Sequence, residues 1–385
     1  MKSYITSIGT ANPSHCFPQL KIADFMANAL QMNAAERAKL KVLYKATGIK
    51  QRFSVIPDFG KANGGFGFFP NAYDLEPFPT VSNRMILYQK EALPLAKIAI
   101  TNCLLNRNLT NLNAVTHLIT VSCTGMYAPG LDLDILETLG MKGNTKRTCI
   151  NYMGCYAGFN ALKNADYICR ADPKAKVLIV SVELCTIHYQ KKRAWESLLS
   201  NALFSDGAAA VLVEGISSGK INLSLDHFYC AVEPEGKKDM AWQISDFGFE
   251  MTLSSYIPDL IKGGIKKLTK NLLKRVAHSI HTIDFFAIHP GGKKILKVIE
   301  DELDIPKEAN RFAYEILENY GNMSSATIFF VLESLLQALN KEDTGKNVLS
   351  FAFGPGLTLE SMLLGIVVPS TLKIEKPSKS YAEFE

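Results

Sequence analysis

The chain is 385 residues long, carries a net charge of +5 and is 47% hydrophobic. That profile excludes a disordered or low-complexity polymer and implies two domains or one large layered domain. The positive excess is too small and too dispersed to imply nucleic acid. The eight cysteines form no Cys-x-x-Cys pair or zinc-spaced cluster, and no apolar run has signal-peptide or membrane-spanning length. We therefore expect a soluble, reduced, cytoplasmic protein with no metal, no nucleic acid and no membrane partner.

Taken in chain order, the first distinctive stretch is basic: Arg37–Arg52 includes Lys39, Lys41, Lys45 and Lys50. Such a run is either a solvated helix face or a seat for anionic groups. Residues 56–84 follow, with four prolines, four glycines and five phenylalanines. They are too broken for one regular element and fit either a pocket wall or lid, or a surface excursion packed by its aromatics. Apolar periodicity then predicts helices at Met85–Leu105, Gly158–Arg170, Ile257–His278, Lys293–Glu302 and Ser324–Leu339. Short β-branched runs predict buried strands at Val115–Val121, Lys176–Val182, Ala208–Val213, Asp284–Ile288 and Val348–Phe353. Strands alternating with helices give an α/β class. Gly154-Cys155 and Gly321-Asn322 each open a helix rich in small residues, which hints at an internal duplication with two buried sister helices.

Three segments carry chemistry. Cys155 follows Gly154 at a predicted helix start, where the helix dipole and free N–H groups favour thiolate. His289 ends an apolar strand and enters Pro290-Gly291-Gly292, which holds the imidazole at the strand tip. Asn322 is either a plain N-cap or an amide donor. Together they supply a nucleophile for acyl transfer and two hydrogen-bond donors for an enolate oxygen, with neither a metal nor a redox cofactor.

These segments, in this order, resemble the catalytic triad of the type III polyketide synthases, the chalcone and stilbene synthase relatives. Residues 202–210, with Phe204, resemble the family's gatekeeper segment, and Gly354-Pro355-Gly356 its C-terminal loop. The resemblance covers nearly the whole chain. It implies a thiolase-like layered αβαβα fold with internal pseudo-duplication, in an N-terminal half (1–215) carrying the cysteine and a C-terminal half (216–385) carrying His289 and Asn322. It also implies a homodimer fed by malonyl-CoA and a starter acyl-CoA, coenzyme A thioesters being substrates and no cofactor being required. Substrate-binding positions fall on Phe204, Cys123, Thr124, Cys185, His188, Met251, Gly354, Pro355 and Gly356. Lys41, Lys45 and Lys294 fall near the places where relatives meet coenzyme A phosphates. Cys123-Thr124, Ala128, Cys185, His188 and Met251 depart from the plant pattern. Ala128 and Met251 lighten the pocket while His188 adds bulk, so starter and chain length stay open. Two other readings remain: a ketoacyl synthase III-type single condensation on a carrier protein, and a catalytically silent dimeric scaffold.

Overall fold

The computed structural model describes residues 2–61, 64–254 and 256–368. Its first half runs β1 (Tyr4–Ala11), β2 (His15–Pro18), α1 (Gln19–Ala29), α2 (Ala34–Ala46), β3 (Gln51–Ser54), α3 (Val81–Arg107), β4 (His117–Ser122), α4 (Leu131–Thr138), β5 (Lys146–Asn151), α5 (Ala157–Ala171), β6 (Lys176–Leu184), α6 (Trp195–Leu203) and β7 (Asp206–Glu214). The second half adds β8 (Asn222–Val232), β9 (Met240–Ser245), β10 (Gly248–Leu253), α7 (Ile257–Lys274), β11 (Phe285–Ile288), α8 (Lys293–Leu303), α9 (Arg311–Tyr320), α10 (Thr327–Ala338), β12 (Asn347–Gly354) and β13 (Thr358–Val367).

Nine strands join in one mixed sheet, in the order β11-β12-β13-β8-β1-β7-β6-β4-β5. The order repeats itself across the β8–β1 seam. In each half an outer parallel pair (β4–β6, β11–β12) is followed inward by an antiparallel strand (β7, β13) and then by that half's first strand (β1, β8). This is the duplication hinted at by the two glycine-led helices, and the architecture is the layered thiolase-like α/β fold.

Strands β6 and β7 are buried along nearly their whole length, so their apolar runs tolerate cover on both faces. The sister helices α5 and α10 contribute to one apolar core, with Phe159, Ala161, Phe329 and Leu332 at 0% exposure. Gly158 makes their approach possible: a Cβ there would lie 3.1 Å from both the Phe329 ring and the Ser325 carbonyl oxygen. The helix expected at Ser324–Leu339 begins with a 3₁₀ turn, Ser324–Ala326, and becomes α-helical at Thr327.

The aromatic-rich segment is a packed wall. Buried Asp58 accepts hydrogen bonds from the backbone N–H groups of Gly67, Phe68 and Phe69 at 2.7–2.9 Å. That carboxylate folds the excursion back on itself, so Phe59, Phe69 and Phe78 cluster with Phe25 and Tyr189. Among the described residues, no helix is long and apolar enough to cross a membrane.

Candidate active site

Cys155 sits in the turn between β5 and α5, two residues before the first helical residue. Gly154 adopts φ +81°, and a Cβ there would lie 2.1 Å from Pro355 Cδ. A Cβ on Gly354 would lie 2.4 Å from Tyr156 Cδ1. The Gly-Pro-Gly loop therefore packs directly on the cysteine turn, and side chains are excluded at both contact points. Burial pushes the Cys155 thiol up to about 12, although polar groups of Ser324 and Asn322 beside the sulfur pull the other way. The expected thiolate-favouring environment is thus outweighed, because the sulfur lies deep in the fold and ahead of the helix proper.

His289 extends the β11–β12 pairing by one residue, its N–H donating to the Phe351 carbonyl at 2.8 Å. The imidazole is 1% exposed, and neither ring nitrogen has a hydrogen-bond partner. Burial alone drives its pKa down to about 3. A buried, unpartnered imidazole is costly unless a ligand completes it.

Asn322 follows Gly321 (φ +72°) in the turn between α9 and the 3₁₀ start of the next helix. Its Oδ1 accepts from the Ser324 N–H at 2.9 Å and the Thr327 hydroxyl at 3.4 Å. Capping therefore fixes the amide, and this same fixation leaves Nδ2 as the free-facing donor. Nδ2 has one long contact, 3.4 Å, to the Gly291 carbonyl, which ties Asn322 to the His289 loop. The bonds at Oδ1 and the free-facing Nδ2 are compatible in one arrangement.

Phe204 closes α6 and bridges to Asn322 in sequence-distant backbone pairing. Arg52, buried and hydrogen-bonded to Gln19, donates to the Phe204 carbonyl at 2.6 Å and fixes its position. Phe204 lines an inner cavity of about 50 Å³ together with Cys185, His188 and Met251. Its neighbour Leu203 lines an outer cleft of about 290 Å³ together with Thr47, Gly291, Gly292 and Lys294. The segment thus stands between the two spaces.

The basic residues behave differently from one another. Lys294 lines the outer cleft, and the Lys293 stem leans on Gly48 across its rim. From α2 the cleft receives Leu43 and Ala46. Lys45 is exposed beside them, whereas Lys41 is held by Asp24 at 2.7 Å. Ala128 lies exposed on the single chain.

Two residues of the site escape a reading by motif. Glu183 is fully buried and accepts from the Cys123 N–H at 3.0 Å, the Thr124 hydroxyl at 2.8 Å and the Ser325 hydroxyl. Burial raises its carboxyl pKa, and its charge in turn disfavours thiolate at Cys155. A lone acid inside the apolar run Val-Ser-Val-Glu-Leu was the available signal. Trp242, on the hairpin strand β9, lines the inner cavity and donates its indole N–H to the Cys123 carbonyl at 2.7 Å. No local pattern announces it.

Residues 1–216 match the family model for the N-terminal domain of chalcone and stilbene synthases, and residues 225–368 match that for the C-terminal domain. The chain belongs to the chalcone and stilbene synthase family of type III polyketide synthases. It is 30% identical to "Type III polyketide synthase 21" of Oryza sativa, with 94% of this chain and 93% of that one covered. It is 29% identical to "Alpha-pyrone synthesis polyketide synthase-like Pks18" of Mycobacterium tuberculosis, covering 94% and 91%. It also matches "Probable polyketide synthase 1" of Dictyostelium discoideum at 28% identity, where it spans only 12% of that much longer protein. Among solved structures, the C-terminal type III polyketide synthase domain of Dictyostelium Steely1 superposes with a TM-score of 0.87 at 26% identity. The match covers 96% of this chain and all of that one. The polyketide synthase PKS-I of the brown alga Ectocarpus siliculosus gives the same TM-score and identity, with coverages of 95% and 98%.

Proposed function

We propose that this polyketide synthase loads a starter acyl group from coenzyme A onto Cys155, extends it with malonyl-CoA and cyclises the product. The observation that carries this reading is the buried Cys155 thiol with the Asn322 amide beside it, that amide in turn reaching the loop of His289, whose imidazole has no hydrogen-bond partner among the described residues. In loading, the Cys155 sulfur attacks the thioester carbonyl while its proton passes to His289. The bond from the acyl carbon to the coenzyme A sulfur breaks, and the departing thiolate takes that proton. Burial suits this step, because it penalises both ions and so favours keeping the proton on sulfur until the thioester is in place.

In extension, Asn322 Nδ2 and the N–H of neutral His289 donate to the malonyl thioester oxygen. The carbon–carbon bond to the carboxylate breaks, carbon dioxide leaves, and the electron pair becomes an enolate held by those donors. Its carbon attacks the acyl–Cys155 thioester, and the cysteine sulfur departs and regains a proton. Phe204, between cleft and cavity, gives the carboxylate an apolar neighbour, and Lys294 and Lys45 at the cleft rim offer charge to coenzyme A phosphates. Lys41, paired with Asp24, reaches that role only by giving up its partner. The enzyme is further proposed to work as a homodimer. Product mass spectrometry with malonyl-CoA and a set of acyl-CoA starters tests the reading. Cys155-dependent polyketides are expected; condensation only with a carrier-protein substrate would move the chain to the ketoacyl synthase class.

A further inference from the structure

We infer that the ring of side chains around the mouth of the outer cleft is a docking surface for an anionic lipid bilayer. Three large apolar side chains stand exposed there, each on a different element. They are Val42 on α2 (67% exposed), Trp195 at the start of α6 (52%) and Tyr256 just ahead of α7 (67%). Trp195 lines the cleft itself, and Val42 and Tyr256 immediately precede the lining residues Leu43 and Ile257. Apolar groups of this size, gathered at one opening, are unfavourable in water unless something covers them. Below the ring the walls stay apolar, with Leu199, Leu203 and Ile295. On the proposed reading, a second copy of the chain seated here would close the cleft through which thioesters enter. A fluid bilayer covers the same ring and also holds thioesters whose acyl chains partition into it.

The charge around the ring is positive. On α2, exposed Lys39 and Lys45 lie one turn either side of Val42, so the three share a face. Lys293 and Lys294 open α8 at another part of the mouth, and the Lys293 stem lies against Gly48 while the residue stays exposed. Lys41 and Lys50 are taken up by Asp24 and Glu318, but Lys39, Lys45, Lys293 and Lys294 have no ion-pair partner among the described residues. Two exposed acids oppose them, Glu196 beside Trp195 and Asp259 beside Pro258. Tryptophan and tyrosine set among lysines is the composition of a bilayer interface, where rings sit at headgroup depth and lysine stems reach toward phosphates. An acidic protein would meet the lysines, but a bilayer also gives the separate Val42, Trp195 and Tyr256 one apolar phase without a shaped pocket for each. Coenzyme A and lipid headgroups offer these lysines the same phosphate chemistry, and the three apolar side chains favour the lipid source. A peripheral contact of this kind needs no spanning segment. It therefore departs from the expectation of no membrane partner, which rested on the lack of one.

The test is flotation of the purified protein with phosphatidylcholine vesicles, with and without phosphatidylglycerol, in the absence of substrate, together with tryptophan emission. The chain holds two tryptophans, and Trp242 is tied to the Cys123 carbonyl. A blue shift on adding vesicles that disappears in Trp195→Phe therefore reports the ring. Binding should be at least about tenfold tighter to the anionic vesicles and should weaken as salt shortens the screening length. Lys39→Gln should weaken it about fivefold, and Trp195→Ala and Tyr256→Ser by at least about fivefold each. Thermal melts serve as the folding control, and Tyr256→Ser covers the case in which Trp195→Ala fails to fold. No binding to anionic vesicles at low salt, or binding that all three substitutions leave unchanged, overturns the inference. A Trp195 shift caused by polyglutamate and not by vesicles would assign the ring to an acidic protein, and one caused by protein concentration alone would assign it to a second copy. Full displacement from vesicles by inorganic phosphate at constant ionic strength would reduce it to a phosphate site. Each of these also overturns the lipid inference. No reaction is measured, so these outcomes leave the synthase reading standing, and failure of the product assay leaves the docking result standing.

Discussion

The proposed catalytic corner and the aromatic wall of His188, Trp242 and Phe249 that lines the inner cavity are built in opposite ways. At the corner, Cys155, His289 and Asn322 each sit in a short segment whose glycines fix the local backbone: Gly154 and Gly321 take positive φ, and Gly354 permits the loop contact. The ring nitrogens of His289 are left without protein partners. In the wall, His188 and Trp242 have every polar ring atom engaged, and no residue depends on its sequence neighbours for its role. Unsatisfied groups poised for ligand define the first region, and fully satisfied groups that resist change define the second.

The largest expected effect breaks the corner. Cys155→Ala should abolish condensation in product mass spectrometry, and retained product would remove the nucleophile assignment. Asn322→Ala should slow malonyl-CoA decarboxylation roughly a hundred- to a thousandfold, matching ~2.7–4 kcal/mol for a lost oxyanion donor. An unchanged rate would reduce Asn322 to its capping role. Gly154→Ala tests the backbone beneath the corner. With φ at +81° and Pro355 2.1 Å from the new Cβ, we expect a loss of at least about 1 kcal/mol, read as a Tm lowered by roughly 1 °C or more. A wild-type melt would mean the Gly-Pro-Gly loop yields freely.

A pH profile sharpens the contrast in charge state. His289 is held neutral down to about 3, below the ordinary histidine value near 6.5. Its neutral form therefore persists as pH falls, and condensation, which needs His289 to accept the Cys155 proton, should show no acid limb near 6.5 over the range where the fold is intact. A limb there would show an imidazole that titrates freely. The smallest effect on turnover belongs to the wall: Trp242→Phe leaves the Cys123 carbonyl without its indole donor, at a cost of about 1–3 kcal/mol, and should lower Tm without abolishing turnover.

The same contrast explains what was legible in the sequence. Five buried strands and the helices following Cys155, Gly292 and Asn322 could be read because their apolar period or glycine punctuation is local. Strands β1, β8 and β13 were not, since β1 is rich in small residues, β8 is interrupted by the adjacent polar pair Asp226-His227, and β13 buries Glu360. His188 was placed in the pocket by resemblance, but its bulk could not be weighed without Trp242 and Phe249, which a distant hairpin brings to it. Burial likewise opposes the helix-start effect at Cys155, because a helix start is visible in sequence and the depth of a sulfur is not.

Intact-protein mass spectrometry after brief exposure to an acyl-CoA, followed by peptide mapping, tests the central claim most directly. One acyl group per chain on the Cys155 peptide, absent from Cys155→Ala, is the result expected. No adduct, or an adduct on another of the eight cysteines, would contradict it.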